Sequence, residues 1–167
     1  RESYVRSLSS ALQIGESMLQ SGASALETVE SVVRQLEDDA LFNAGKGSVF
    51  AADGTHQLDA SIMDGTTGAT GAVASIRTVR HPITLARLVM TETSQVLIAG
   101  DGAESFADEV DVERVENSYF DTQHRYDSLQ RALRSSGADE REPSGGSTVG
   151  CVVRDSQGNL AAATSTG

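Results

Sequence analysis

Gly145-Gly146-Ser147-Thr148-Val149-Gly150-Cys151-Val152-Val153-Arg154 is the stretch on which the fold turns. Small, conformationally free residues run up to Thr148, and a β-branched strand pattern begins there. Forward of it, Asp155-Ser156-Gln157-Gly158-Asn159 reads as a turn, and Leu160-Ala161-Ala162-Ala163-Thr164 returns as the antiparallel partner. A threonine between a loose segment and a strand is ordinary while the backbone stays whole. Cut just before it, the same residue carries a hydroxyl nucleophile and an α-amine with an unperturbed pKa of about 8. That amine can act as general base for the hydroxyl. The returning strand brings a second hydroxyl group, Thr164-Ser165-Thr166, back beside Thr148, where one of them can hydrogen-bond the nucleophile.

Backward of Thr148, residues 135–147 mix Gly, Ser, Glu and Pro and read as a mobile surface linker. Tyr119 to Leu133 reads as a helix with Tyr126, Leu129 and Leu133 on one side. Gln95–Ala99 is a short apolar strand running into a short helix with Phe106 and Val110. Pro82 suits the first turn of another helix, with Ile83, Ala86, Leu88 and Val89 as its buried face. Gly71–Ile76 is a strand. Ser48–Ala51 and Gln57–Met63 read as a strand pair about a turn at Asp53-Gly54, with a further turn at Asp64-Gly65. At the start, Leu8, Ala11, Leu12, Gly15, Met18 and Leu19 recur at helical spacing over residues 2–21, and Gly22 is a stop. Ser24-Ala25-Leu26-Glu27 has the form of a capping box before a second helix that buries Leu26, Val29, Val32, Val33 and Leu36. The expected fold is α+β, a largely antiparallel sheet covered by helices. One structural domain holds residues 1–134, the linker 135–147, and the first strands of a second segment, 148–167.

The net charge of −11 opposes a nucleic-acid partner and a polybasic membrane patch, both of which need basic surface. No apolar run is long enough to span a bilayer and no secretory leader is visible, so the expected location is cytoplasmic. One cysteine, Cys151, excludes an internal disulfide and reads as a small apolar strand residue. Lys46 lies between Gly45 and Gly47 without the spacing of a phosphate loop. Gly100-Asp101-Gly102 is half of a dinucleotide fingerprint without the rest. His56, His81 and His124 lack metal spacing and read as surface or turn residues. Asp59 and Asp64 fall on opposite faces of a regular strand and make a poor acid/base pair. No organic cofactor is indicated.

Leu41-Phe42-Asn43-Ala44-Gly45-Lys46-Gly47, Leu58-Asp59-Ala60-Ser61-Ile62-Met63-Asp64-Gly65, Gly102-Ala103-Glu104, Thr148-Val149-Gly150 and Gly158 to Gly167 occur in an order that resembles the plant-type L-asparaginases. These are also called isoaspartyl (β-aspartyl) peptidases and belong to the N-terminal nucleophile hydrolases. The resemblance implies an αββα sandwich and a precursor that cleaves itself between Ser147 and Thr148. It implies hydrolysis of L-asparagine and β-aspartyl dipeptides through a β-aspartyl-threonine ester. Thr148 is then nucleophile and base, Thr166 orients it, and Asn43 supports it from behind. The loop from Leu36 to Lys46 resembles a sodium-binding loop, in which the backbone carbonyls of Leu36, Glu37, Asp39, Phe42, Ala44 and Lys46 ring a structural Na+; a hard cation accepts carbonyl oxygens whatever the side chains are. The resemblance also implies a dimer of processed α/β heterodimers acting on a small-molecule or dipeptide substrate.

The chain departs from the family pattern in three places. Ser147 stands where the family has glycine, and its Cβ limits the backbone distortion that drives self-cleavage. The family's opening strand with its His-Gly-Gly-Ala-Gly motif does not precede Arg1. The half that in relatives supplies the substrate-gripping Arg and Asp and the oxyanion-forming Thr-Gly pair does not follow Gly167. Losing an oxyanion donor alone costs on the order of 100-fold in rate, so the 167-residue segment is expected to be inactive by itself. Three alternatives stay open: a glycosylasparaginase-like amidase, a threonine protease of the same fold, and a catalytically silent, uncleaved homologue.

Overall fold

A computed structural model describes residues 1–135 and 148–167. The elements are α1 (Glu2–Gln20), α2 (Ala25–Glu37), β1 (Leu58–Asp64), β2 (Thr70–Ile76), α3 (Pro82–Glu92), β3 (Leu97–Ala99), α4 (Gly100–Glu109), α5 (Gln123–Ser135), β4 (Val149–Arg154) and β5 (Leu160–Thr166). The strands form one sheet in the order β3-β2-β1-β5-β4. Every pairing is antiparallel except β2 with β3. This is the expected mixed α+β architecture, and the two segments on either side of Thr148 share one sheet through β1 and β5.

Strand alternation sorts the two faces. Leu58, Ala60 and Ile62 of β1, Val73 and Ile76 of β2, Ala161 and Ala163 of β5, and Val149 and Val153 of β4 are buried on one face. There they join Val29, Val33 and Leu36 of α2 and Ile83, Leu85, Ala86 and Val89 of α3 in a single core. The opposite face exposes Met63, Val152 and Leu160.

Several helices begin where local chemistry dictates. Ser24 Oγ accepts the Glu27 amide while the Glu27 carboxylate accepts the Ser24 amide, which completes the capping box of α2. Pro82 opens α3 without wasting an amide donor. Gly22 takes φ +89° after α1, the left-handed conformation that a stop requires.

The structure corrects four expectations about the secondary-structure elements. The buried stripe of α1 is Ala11 and Gly15, whereas Leu8 and Leu12 are exposed. Small residues win the inward face because α1 lies close against α2: a Cβ on Gly15 would stand 3.1 Å from Val32 Cγ2. On α3 the fully buried leucine is Leu85, with Leu88 only partly covered. Residues 48–51 form no strand. The Val49 amide donates to Asn43 Oδ1 (2.8 Å) and the Val49 carbonyl lies 3.1 Å from His56 Nδ1, so side chains take the groups a ladder would use. The helix expected from Tyr119 begins at Gln123, because Asn117–Phe120 is a 3₁₀ turn that buries Phe120. Thr122 then starts the helix, its carbonyl accepting the Tyr126 amide and its hydroxyl the Arg125 amide.

Candidate active site

Thr148 stands at the head of β4, on the sheet face away from the helices. In the antiparallel register Val149 pairs with Ser165. One step back, Thr148 faces Thr166, and Thr148 Oγ1 donates to Thr166 Oγ1 at 3.1 Å. Neighbouring Ser165 points the other way, into the core, and donates to the Glu37 carboxylate at 2.7 Å. Thr148 is exposed and Thr166 half-exposed, so the hydroxyl pair is open to a ligand. Of the hydroxyls expected to return beside Thr148, Thr166 is the one that reaches it.

Asn43 is buried and spends both ends of its amide on backbone. Its Nδ2 donates to the Gly167 carbonyl (2.9 Å), and its Oδ1 accepts the Val49 amide. Asn43 therefore holds the residue that follows Thr166. Asp59 pairs laterally with Thr166 across β1 and β5. Asp59, Thr166 and Thr148 thus form a row over three adjacent strands. The Asp59 carboxylate turns toward β2 and accepts the Ser75 amide at 2.7 Å, holding Ser75 at φ +54° beside the irregular register of β1. The sequence pattern offers Asp59 only as a poor acid/base partner of Asp64; its place beside Thr166 depends on a pairing with residues about a hundred positions away.

The loop after α2 packs two glycines against its own backbone carbonyls. Gly45 has φ +50°, and a Cβ there would overlap the Glu37 carbonyl oxygen. A Cβ on Gly47 would overlap the Phe42 carbonyl oxygen and lie 2.6 Å from that of Ala40. Only glycine therefore fits at these two positions, packed against the backbone oxygens of the loop. The Lys46 side chain is engaged elsewhere: its ammonium donates to the Tyr119 carbonyl and lies 4.5 Å from the centre of the Tyr119 ring. Among the described residues, no cluster of three or more His, Cys, Asp or Glu side chains could hold a metal.

Glu37 ends α2 with a fully buried carboxyl. Its Oε1 accepts the Ile83 amide at the start of α3 (3.0 Å) as well as the Ser165 hydroxyl. His81 Nδ1 faces its Oε2 at 3.4 Å without hydrogen-bond geometry. Burial pushes the carboxyl above the usual carboxylate range, against these polar neighbours. His56 and His81 are buried, contrary to the surface reading of the sequence, and only His124 is exposed. Each buried ring lies beside a carboxyl group, Asp121 for His56 and Glu37 for His81, and the His56–Asp121 hydrogen bond offsets the cost of burying that ring. Cys151 is half-buried and burial pushes its thiol up, which suits an inert strand residue. Ser147 and the linker residues 136–147 lie outside the described residues, whereas Ser135 closes α5.

A family model described as asparaginase matches residues 1–167. An isoaspartyl peptidase of Salmonella typhimurium is 48% identical over 98% of this chain and 55% of the relative. An isoaspartyl peptidase of Escherichia coli K12 is 47% identical over 98% of this chain and 53% of its own length. A rat isoaspartyl peptidase/L-asparaginase is 42% identical over 92% of this chain and 46% of the relative. The chain thus spans about half the length of the curated relatives it matches. On the match of the family model to residues 1–167, the chain belongs to the asparaginase family.

Proposed function

We propose that the protein is an autoprocessing amidohydrolase acting on L-asparagine and β-aspartyl dipeptides with Thr148 as its nucleophile. The observation that carries this reading is the 3.1 Å contact between Thr148 Oγ1 and Thr166 Oγ1 on the open sheet face of an asparaginase-family chain. The names of the relatives supply the substrate class.

Cleavage before Thr148 frees its α-amine. The amine takes the proton from Oγ1, and Oγ1 attacks the side-chain carbonyl of the substrate. The C–N bond then breaks, and ammonia or the amino group of the second residue leaves with that proton. Water attacks the β-aspartyl-threonine ester, aspartate departs and the Thr148 hydroxyl is restored. Thr166 is the hydrogen-bond partner that holds Oγ1 in line, and Asn43 holds Thr166 through Gly167. The cut leaves both pieces, 1–147 and 148 onward, in one structural domain, because β4 and β5 are locked to β1.

A second sheet laid over exposed Met63, Val152 and Leu160 would complete an αββα sandwich. A structural Na+ ringed by the carbonyls of Leu36, Glu37, Asp39, Phe42, Ala44 and Lys46 would brace the loop that carries Asn43. The outer face of α1, with exposed Val5, Leu8 and Leu12, supplies apolar area of the kind a dimer of processed heterodimers covers. The test is ammonia release from L-asparagine and hydrolysis of β-aspartyl-leucine by the full-length protein. Thr148→Ala is expected to abolish both; activity that survives this change contradicts the assignment.

A further inference from the structure

Behind the threonine pair lies a second constellation that the proposed chemistry does not use. Ser48 Oγ is 3.1 Å from His56 Nδ1, and His56 Nε2 is 3.0 Å from Asp121 Oδ1. Serine, histidine and aspartate joined in this order suggest a hydrolytic triad. Two features exclude a nucleophile here. Ser48 and His56 are fully buried, so no substrate reaches the hydroxyl. The ring is also turned the other way: in the serine hydrolases Nε2 serves the serine and Nδ1 the aspartate.

What the hydroxyl residue does touch is Gly167. A Cβ on Gly167 would overlap Ser48 Cβ and lie 3.2 Å from Ser48 Oγ. Gly167 thus lies directly against Ser48, and its carbonyl is held by Asn43. The residue before it is Thr166, the partner of Thr148.

The ring itself is tightly placed. The Asp121 carboxylate only accepts, so Nε2 carries a proton. Neutral at Nδ1, the ring accepts from Ser48 Oγ; protonated there, it donates to the Val49 carbonyl 3.1 Å away. Either way it ties the Ser48-Val49 backbone to Asp121. The Phe50 ring lies over it with centroids 4.1 Å apart, and Asn117 brackets its backbone, accepting the His56 amide and donating to the His56 carbonyl.

We propose that Asp121, His56 and Ser48 form a positioning relay that sets the Thr148–Thr166 pair through Gly167. The relay rests on the threonine-nucleophile reading and extends it to three residues that touch neither substrate nor reacting atoms. Its purpose follows from the geometry: Thr166 is followed by a residue that must be held in place, and glycine has no side chain with which to hold itself.

The test uses the full-length processed protein and β-aspartyl-leucine, with kcat and KM measured separately. Ser48→Ala keeps the Cβ against Gly167 and removes only the bond to His56. It is expected to lower kcat by roughly ten-fold with KM within about two-fold, the signature of a misplaced nucleophile rather than lost binding. Asp121→Ala, at an exposed position that tolerates change, is expected to lower kcat similarly, and Asp121→Asn, which keeps an acceptor for Nε2, to restore most of it. Because the three residues act in series, Ser48→Ala with Asp121→Ala should be no worse than either alone. If Ser48→Ala does not fold, the Asp121 pair decides. Unchanged kcat in Ser48→Ala or Asp121→Ala, multiplicative losses in the double variant, or fluorophosphonate labelling of Ser48 would overturn the relay. Activity retained in Thr148→Ala would instead overturn the nucleophile reading beneath it.

Discussion

Thr148 Oγ1 and Thr166 Oγ1 stand 3.1 Å apart across the last hairpin, although 18 positions separate them in the chain. The antiparallel register of β4 and β5 makes this contact, so it survives a cut before Thr148. Thr166→Val removes the hydroxyl and keeps the branched shape. Loss of one hydrogen bond worth about 1–1.5 kcal/mol corresponds to a roughly ten-fold fall in kcat. Steady-state hydrolysis of β-aspartyl-leucine is expected to show that fall with little change in KM.

Asn43 satisfies two buried backbone groups at once, the Gly167 carbonyl and the Val49 amide. Asn43→Leu leaves both without their partner. At about 1–3 kcal/mol for each unsatisfied group, the expected loss is roughly 2–6 kcal/mol, read from the urea midpoint at constant slope. A loss confined to activity would mean that Asn43 is no strut.

Gly54 and Gly47 separate the effect of conformation from that of space. Gly54 has φ +81° with nothing near its missing side chain, so Gly54→Ala is expected to cost about 1 kcal/mol from the left-handed backbone alone. Gly47→Ala drives a methyl into the Phe42 and Ala40 carbonyls and should cost more, roughly 1–3 kcal/mol for overpacking. If the carbonyls of Leu36, Glu37, Asp39, Phe42, Ala44 and Lys46 ring Na+ as proposed, replacing potassium with sodium raises the melting temperature of the wild-type protein and does so less in Gly47→Ala.

Glu37 makes stability depend on pH in an unusual direction. Burial raises its folded-state pKa, so between the unfolded and folded values the native state binds more protons than the unfolded state. Stability from this group is therefore full below the unfolded pKa and declines as pH rises through the folded one. Glu37→Gln keeps an acceptor for the Ser165 hydroxyl and the Ile83 amide and places a donor beside His81. It is expected to stabilise the protein at neutral pH by on the order of 1 kcal/mol, with the gain vanishing toward acid pH. Urea midpoints over a pH series check it.

Local chemistry wrote some parts of this molecule plainly. The capping box at Ser24 and Glu27, the opening of α3 at Pro82 and the last hairpin all depend on a few adjacent residues. The hairpin alone suffices to bring Thr166 back to Thr148. What depends on distant pairing was not legible. His56 is buried because Asp121 comes to it from 65 positions away, and no local period marks such a ring. Asp59 lies beside Thr166 only because β1 pairs with β5. Ser48–Ala51 has the composition of a strand, but Asn43 and His56 claim the backbone of Val49 first. The outward leucines of α1 mislead for a related reason: close helix approach favours Ala11 and Gly15 over larger side chains.

On the proposed function, Thr148 becomes an amino terminus. N-terminal sequencing of the purified full-length protein after prolonged incubation tests it directly. Two fragments are expected, one of which reads Thr-Val-Gly-Cys from its first cycle, with a single uncut chain for Thr148→Ala. A wild-type protein that hydrolyses β-aspartyl-leucine while remaining one intact chain would contradict it.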